Sequence, residues 1–158
     1  MPTSNPQSSA CVFCAIVSGG APATYLYQDD LVVGFMDIRP VQPGHLLVVP
    51  RTHAKLIAEL QDSILARMWS VATDLNRALR VSPLPVEAVS VYVADGEAAG
   101  QEVAHVHIHL IPRRADDRFG FRFPPGYGVQ PARAALEAIA EQIRPGVAST
   151  EAPPPSGD

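Results

Sequence analysis

Apolar and polar positions alternate along the chain with a period that changes, and the changes mark out the elements. Residues 24–28 and 31–37 are rich in aromatic, β-branched and aliphatic side chains and flank Asp29-Asp30, the pattern of a hairpin. A turn carrying Pro40, Pro43 and Gly44 leads into a third strand over 45–49, closed by Pro50. The period then lengthens. Ile64, Leu65, Met68, Val71, Ala72, Leu75 and Leu79 fall on one stripe at helical spacing, with Asp62 as the cap and Pro83 and Pro85 as the stop. Shorter helices are predicted over 11–18, ended by Gly19 and Gly20, and over 52–60, capped by Thr52. Two further strands are expected over 86–94 and 105–111, joined by a loop over 95–100, and a last helix over 131–143 begun by Pro131. The sum is an α+β domain with about five antiparallel strands.

Composition narrows the class. With 158 residues, 47% of them hydrophobic, two cysteines and a net charge of −4, the chain reads as one compact soluble domain. A disordered chain would carry less apolar material, and a disulfide-stapled miniature more cysteines. No apolar run approaches the roughly 18 residues of a membrane span. A pI near 5.7 offers no basic field for nucleic acid. The first ten residues hold no Lys or Arg and no apolar core, so a secretory signal is not expected and a cytoplasmic location is. Proline accounts for 16 residues and concentrates towards the ends. Residues 1–10 and 145–158 therefore read as disordered tails around a single domain over 11–144.

The chemistry concentrates in His105-Val106-His107-Ile108-His109. Five histidines among 158 residues would place three on alternate positions by chance in roughly 0.005 of such chains. In an extended chain the three imidazoles share one face while Val106, Ile108 and Leu110 fill the other. Three core histidines would each need a buried partner, a heavy polar load for a small domain. One metal cannot take all three easily, because positions i and i+4 of a strand lie about 13 Å apart. A linear polar substrate suits the row better. A neutral imidazole can attack phosphorus without prior deprotonation, which points to His107 as nucleophile and His109 as proton donor to the departing group. Gly96 and Gly100 permit close backbone approach just before the row, and Gln101 adds amide donors for phosphate.

Cys11-Val12-Phe13-Cys14 supplies half of a zinc site, and His53 and His105 are available to complete it. A thioredoxin-like role would need a βαβ setting that this N-terminal position lacks, and two inert buried thiols are the plain alternative.

Taken together, Asp95-Gly96, Ala99-Gly100-Gln101, the three alternating histidines, Pro112-Arg113 and the upstream Pro43-Gly44-His45 resemble the fingerprint of the histidine triad (HIT) family, over about residues 11–113. The resemblance implies a five-stranded antiparallel sheet with flanking helices, paired into a ten-stranded sheet in a homodimer. It implies hydrolysis or nucleotidyl transfer at the α-phosphate of a purine nucleotide conjugate (phosphoramidate, ester or anhydride). His107 would carry the nucleotidyl intermediate, with His105, His109, His45 and Gln101 in support. Asp37 would meet the ribose hydroxyls, Phe13, Ile16, Phe35 and Ile38 the base, and Gly100 and Gln101 the phosphate. Cys11, Cys14, His53 and His105 would hold a structural Zn²⁺, with no organic cofactor. Two positions depart from the family pattern: Glu102 stands where several relatives have a hydroxyl residue, and Ala94 where some have a polar one. Dinucleoside polyphosphate hydrolysis, a nucleotide-binding regulatory role and a catalytic ion on His105 and His107 are the alternatives. Arg113, Arg114, Arg118 and Arg122 are candidates for a distal phosphate, or a solvated face.

Overall fold

The computed structural model describes residues 11–147. They gather into two units, one ending at Phe119 and one starting at Gly120, and the span 11–144 runs across both. The first unit contains α1 (Val12–Val17), β1 (Tyr25–Gln28), β2 (Val32–Met36), β3 (Leu46–Pro50), α2 (Asp62–Val81), β4 (Ala88–Tyr92) and β5 (Ile108–Arg113). All strand pairs are antiparallel, in the order β1-β2-β3-β5-β4. The five-stranded antiparallel sheet with flanking helices is as the sequence led us to expect.

The hairpin forms because one carboxylate closes it. Asp29 Oδ1 accepts from the Leu31 and Val32 amides, both at 2.8 Å, while Oδ2 accepts from the Tyr27 hydroxyl at 2.8 Å and from Arg67 Nε at 2.6 Å. The same side chain therefore sets the turn and ties it to α2.

Alternation along the strands produces two apolar faces. Val32, Leu46, Val48, Ile108 and Leu110 pack on Met68, Val71, Ala72 and Leu75 of α2. Val33, Phe35, Leu47 and Val49 pack on Phe13 and Ile16 of α1. Leu65, predicted on the α2 stripe, packs at the border of the first cluster. With both faces covered, β2 and β3 read as nearly unbroken apolar runs.

Gly44 shapes the turn into β3. Its φ is +91°, and a Cβ there would meet Leu84 Cδ1 at 2.9 Å and Pro112 Cγ at 3.1 Å. Only glycine satisfies both constraints, and the chain emerges with His45 buried beneath the second face.

Several boundaries differ from expectation. β5 opens at Ile108, so His105 and His107 precede the ladder: β3 first meets it at Val48↔Ile108, and the Val106 amide bonds to the Ala54 carbonyl instead, at 2.8 Å. Thr52 caps nothing; a 3-10 turn over Ile57–Glu59 replaces the predicted helix, held by Glu59 on the Lys55 amide and Asp95 on the Ile57 amide. Gln61, not Asp62, occupies the N-cap of α2, and Pro50 belongs to β3. In the second unit α3 spans Arg133–Ile143, two residues after Pro131, and a 3-10 turn follows over Arg144–Gly146. Pro145 and Gly146, assigned to the tail from sequence, lie in that turn and Val147 caps it; residues 1–10 and 148–158 of the predicted tails lie outside the described residues. Among the described residues no helix is long and apolar enough to cross a membrane.

The Asp29 carboxyl loses solvation on burial, which would raise its pKa, but Arg67 and the two backbone amides hold it below the ordinary carboxylate range. A depressed pKa stabilises the fold above the unfolded value near 4 and loses that contribution as pH falls below it. Asp29→Asn is expected to cost about 1–3 kcal/mol at pH 7, with the gap to the parent protein narrowing progressively below pH ~4. Urea unfolding at a series of pH values measures both.

Candidate active site

Although only His109 lies within β5, the alternation of faces holds through the whole stretch. Val106, Ile108 and Leu110 enter the cluster under α2, and His105, His107 and His109 face the other way. The Phe13 ring stands edge-on to His105 and His107, with centroids 5.9 and 5.1 Å away. His109 stacks on Tyr92 at 4.6 Å, and its neighbour in β3 is Leu47.

Hydrogen bonds assign a tautomer to each ring, because a backbone amide only donates and a carbonyl only accepts. His107 Nδ1 lies 2.7 Å from the His105 carbonyl and must carry the proton, which leaves Nε2 with its lone pair. His105 Nε2 lies 2.9 Å from the Pro50 carbonyl, which leaves Nδ1 free. His45 Nδ1 accepts from the Val41 amide at 3.2 Å, so its proton is on Nε2. That proton points at His109 Nδ1, 3.0 Å away, and His109 in turn carries its own on Nε2. Asp37 Oδ2 is 3.5 Å from His45 Nδ1, too far to compete for the proton. Burial pushes all four pKa values down, to about 4 for His105 and His109, against an upward pull from the Asp37 charge on His45, His107 and His109. The rings are neutral at pH 7.

Three of them open into a cavity of about 600 Å³, a size suited to a nucleotide-scale ligand. Its apolar lining includes Phe13 and Ile16 of α1, Phe35 and Leu47, with Ile38 at 85% exposure. Asp37, His45, His107, His109, Gly100 and Glu102 line it as well. The residues expected to hold base, ribose and phosphate thus converge, with two exceptions.

Gln101 is the first. Its Nε2 donates to the Lys55 carbonyl at 2.8 Å and its Oε1 accepts from the Gly96 amide at 2.9 Å, so both ends of the amide are engaged. The cause is the 3-10 turn over Glu97–Ala99, flanked by Gly96 and Gly100 at φ +102° and +88°, which turns Gln101 into a separate recess beside Lys55. The Gln101 side chain therefore bonds backbone groups and does not line the cavity.

His105 is the second, because its ring joins the cysteines. Donor atoms of Cys11, Cys14, His53 and His105 all lie within 4.8 Å of one another. His105 Nδ1 is 3.3 Å from His53 Nδ1, 3.5 Å from Cys11 Sγ and 3.6 Å from Cys14 Sγ, and Cys14 Sγ is 3.2 Å from His53 Nδ1. Ligands bonded at about 2.0–2.3 Å around a tetrahedral ion stand roughly 3.3–3.8 Å apart, so the four donors already form the edges of such a shell. The Pro50 carbonyl on His105 Nε2 is the outer partner that turns Nδ1 inward. The cluster can hold a divalent metal. Burial, aided by Cys11, pushes the Cys14 thiol up to about 11, the behaviour of a thiol whose deprotonation awaits a cation. Asp37, His45 and His109 also converge, but His45 and His109 are joined by a hydrogen bond, and Asp37 approaches His45 only at 3.5 Å.

Of the four arginines, Arg113 is tied to Asp117 at 2.6 and 2.9 Å and to Ser90 at 2.9 Å, and Arg114 to Asp116. Neither lines the cavity. Sequence reasoning missed Tyr92, Arg39 and the Val41 amide. Tyr92 enters through strand register, Tyr92↔His109, for which a single sequence gives no signal.

A five-stranded antiparallel sheet with a row of tautomer-locked imidazoles over a nucleotide-sized cavity defines a protein of the histidine triad class. Comparison with known proteins agrees. The HIT domain family model matches residues 18–116. An uncharacterised HIT-like protein of Borreliella burgdorferi is 39% identical over 113 residues, covering 71% of this chain and 81% of its own. An adenylylsulfatase, HINT3, of Arabidopsis thaliana is 35% identical over 72% of this chain and 57% of its own. An adenosine 5′-monophosphoramidase of Schizosaccharomyces pombe is 33% identical over 85% and 96%. Among solved structures, a HIT family protein from Bacillus anthracis superposes with TM-score 0.80 at 31% identity, covering 88% of this chain and 98% of its own. A Zn-bound histidine triad family protein from Mycobacterium smegmatis gives 0.68 at 38% identity, covering 89% and 99%. The chain belongs to the HIT family.

The tautomer assignment is open to direct measurement. Long-range ¹H–¹⁵N correlation at pH 7 is expected to show His107 protonated on Nδ1 and His45 and His109 on Nε2. The His109 signals should titrate near about 4 rather than at the ordinary 6.5.

Proposed function

We propose that the protein is a nucleotide hydrolase or nucleotidyl transferase acting at the α-phosphorus of a purine nucleotide conjugate. The observation that carries this reading is the complementary pair of tautomers. His107 turns a lone pair into the cavity, and His109 turns an N–H into it, with rings 4.7 Å apart. His107 Nε2 attacks phosphorus, the new P–N bond forms, and the bond from phosphorus to the leaving group breaks. The leaving atom takes the bonding pair, is stabilised by a hydrogen bond from His109 Nε2–H, and takes its proton from solvent. Water then attacks the nucleotidyl-histidine, the P–N bond breaks, the monophosphate departs, and the proton that water releases passes to solvent. His45 acts as a positioning residue by donating to His109 Nδ1. The apolar lining takes the base between Phe13, Ile16, Phe35 and Ile38, Asp37 accepts from the ribose hydroxyls, and the Gly100 backbone approaches phosphate. The names of the Arabidopsis and fission yeast relatives, an adenylylsulfatase and an adenosine phosphoramidase, support the same class of bond.

A structural Zn²⁺ in the Cys11, Cys14, His53 and His105 cluster belongs to this reading, supported by the donor spacing and by the Zn-bound mycobacterial structure. The ion would clamp α1 to the segment that carries the triad, and supplies no step of the chemistry. Two copies pairing along the free edge of β4 would make a ten-stranded sheet, and a reducing cytoplasm would keep both thiols available.

Two measurements test the proposal. His107→Ala should lower turnover of an adenosine phosphoramidate at least about a thousandfold while AMP binding persists, and intact-mass analysis of the parent protein under turnover should show a nucleotidyl adduct that the variant lacks. Undiminished turnover in the variant would remove His107 from the mechanism. For the metal, elemental analysis of the purified protein should give about one zinc per chain, falling in Cys14→Ser. Chelation should lower the unfolding temperature by several degrees. A metal-free protein whose unfolding temperature ignores added zinc would exclude the site.

A further inference from the structure

Phosphoryl chemistry usually sets cations around the phosphate, yet among the described residues lining this cavity Arg39 alone carries a permanent positive charge. Two carboxylates, Asp37 and Glu102, line it as well. Arg39 is paired: its Nη2 donates to Glu102 Oε2 at 2.7 Å, and both residues line the cavity. The bond between the Arg39 amide and Asp37 Oδ1, 2.8 Å, fixes the turn from which the guanidinium projects. Glu102 is two residues past Gly100, on the chain that leads into the triad, and its charge reaches both His107 and the Tyr92 ring that backs His109.

The two side chains are 78% and 74% exposed, so the pair contributes little to stability. Its consequence is electrostatic and local. With base, ribose and α-phosphorus assigned to the apolar residues, Asp37 and His107, Arg39 and Glu102 are the charged residues of the lining left to meet the departing group.

We propose that Glu102, by occupying Arg39, sets the charge preference of the leaving group: the site favours an uncharged or cationic amine and disfavours a phosphate or sulfate. This rests on the reading of the site as an α-phosphorus hydrolase and deepens it. An amine leaving group is met by the His109 Nε2–H as a hydrogen-bond donor and needs no cation. An anionic leaving group needs a cation, and the one present is neutralised by Glu102. Freeing Arg39 should therefore admit anions, and removing Arg39 should exclude them further.

The experiment compares kcat/KM for two substrates that share adenosine and the α-phosphorus, an adenosine 5′-phosphoramidate and adenosine 5′-phosphosulfate, in the full-length protein, Glu102→Gln and Arg39→Gln. Glu102→Gln is expected to raise the phosphosulfate-to-phosphoramidate ratio about tenfold over the parent protein, the effect of one unit charge at roughly 6 Å under an effective dielectric constant of about 40. Arg39→Gln should lower the ratio. Both changes should shrink in about 1 M salt, a response that a purely structural role would not give. Unfolding temperatures should stay close to that of the parent protein. Turnover of both substrates with a ratio unchanged in both variants, or a salt-independent shift, would overturn the role of the pair and leave the hydrolase reading standing. A parent protein inert on both substrates and free of adduct would overturn both.

Discussion

One hydrogen bond organises the site: the 2.7 Å contact from His107 Nδ1 to the carbonyl of His105. A neutral imidazole has a single ring proton, and this bond fixes where it stays. The acceptor belongs to the residue whose own ring turns to the cysteines, so the proposed nucleophile and the Cys/His cluster share one backbone unit. That unit lies ahead of β5, outside the ladder, and is steadied by the Val106 amide on Ala54 and by the His105 ring on Pro50. Local pins replace the sheet where the chemistry begins.

The rest of the fold serves to keep four imidazoles uncharged side by side. Sheet, α1 and α2 exclude water from His45, His105 and His107, each 4% exposed or less, and the lost solvation disfavours the imidazolium. Each ring then needs a partner for its remaining polar atom. The chain supplies three from its backbone, the carbonyls of His105 and Pro50 and the amide of Val41. Because amides and carbonyls cannot exchange roles, the direction of every proton is set by the fold rather than by the solvent.

Much of this was legible beforehand. The α2 stripe, the hairpin around Asp29 and the shared face of the three histidines follow from period and from turn chemistry, which are local properties. The cysteine pair was legible as half of a tetrahedral site because ligand types are few, and the family resemblance singled out His53 and His105 to complete it. What escaped was non-local. Tyr92 reaches His109 through register, and Arg39 reaches Glu102 across 63 positions of chain. The side-chain partners of Gln101 escaped for a similar reason: the loop's two positive φ angles place its amide against the Lys55 carbonyl, far away in sequence. The start of β5 was misplaced because Val106 has the side chain of a strand residue while its amide finds its partner in a loop.

Gly44 separates the cavity into a wall that can be redesigned and one that cannot. The turn holding His45 is wedged between Leu84 and Pro112, so any attempt to reshape that side by mutation must move hydrophobic residues behind it. Elsewhere in the lining, Ala21, Pro22 and Ala23 beside Val12 are small or partly exposed side chains, Ala21 and Ala23 at the border of the second cluster. Natural drift and laboratory evolution alike are thereby channelled to one side, where ligand shape can diversify while the reacting groups stay put.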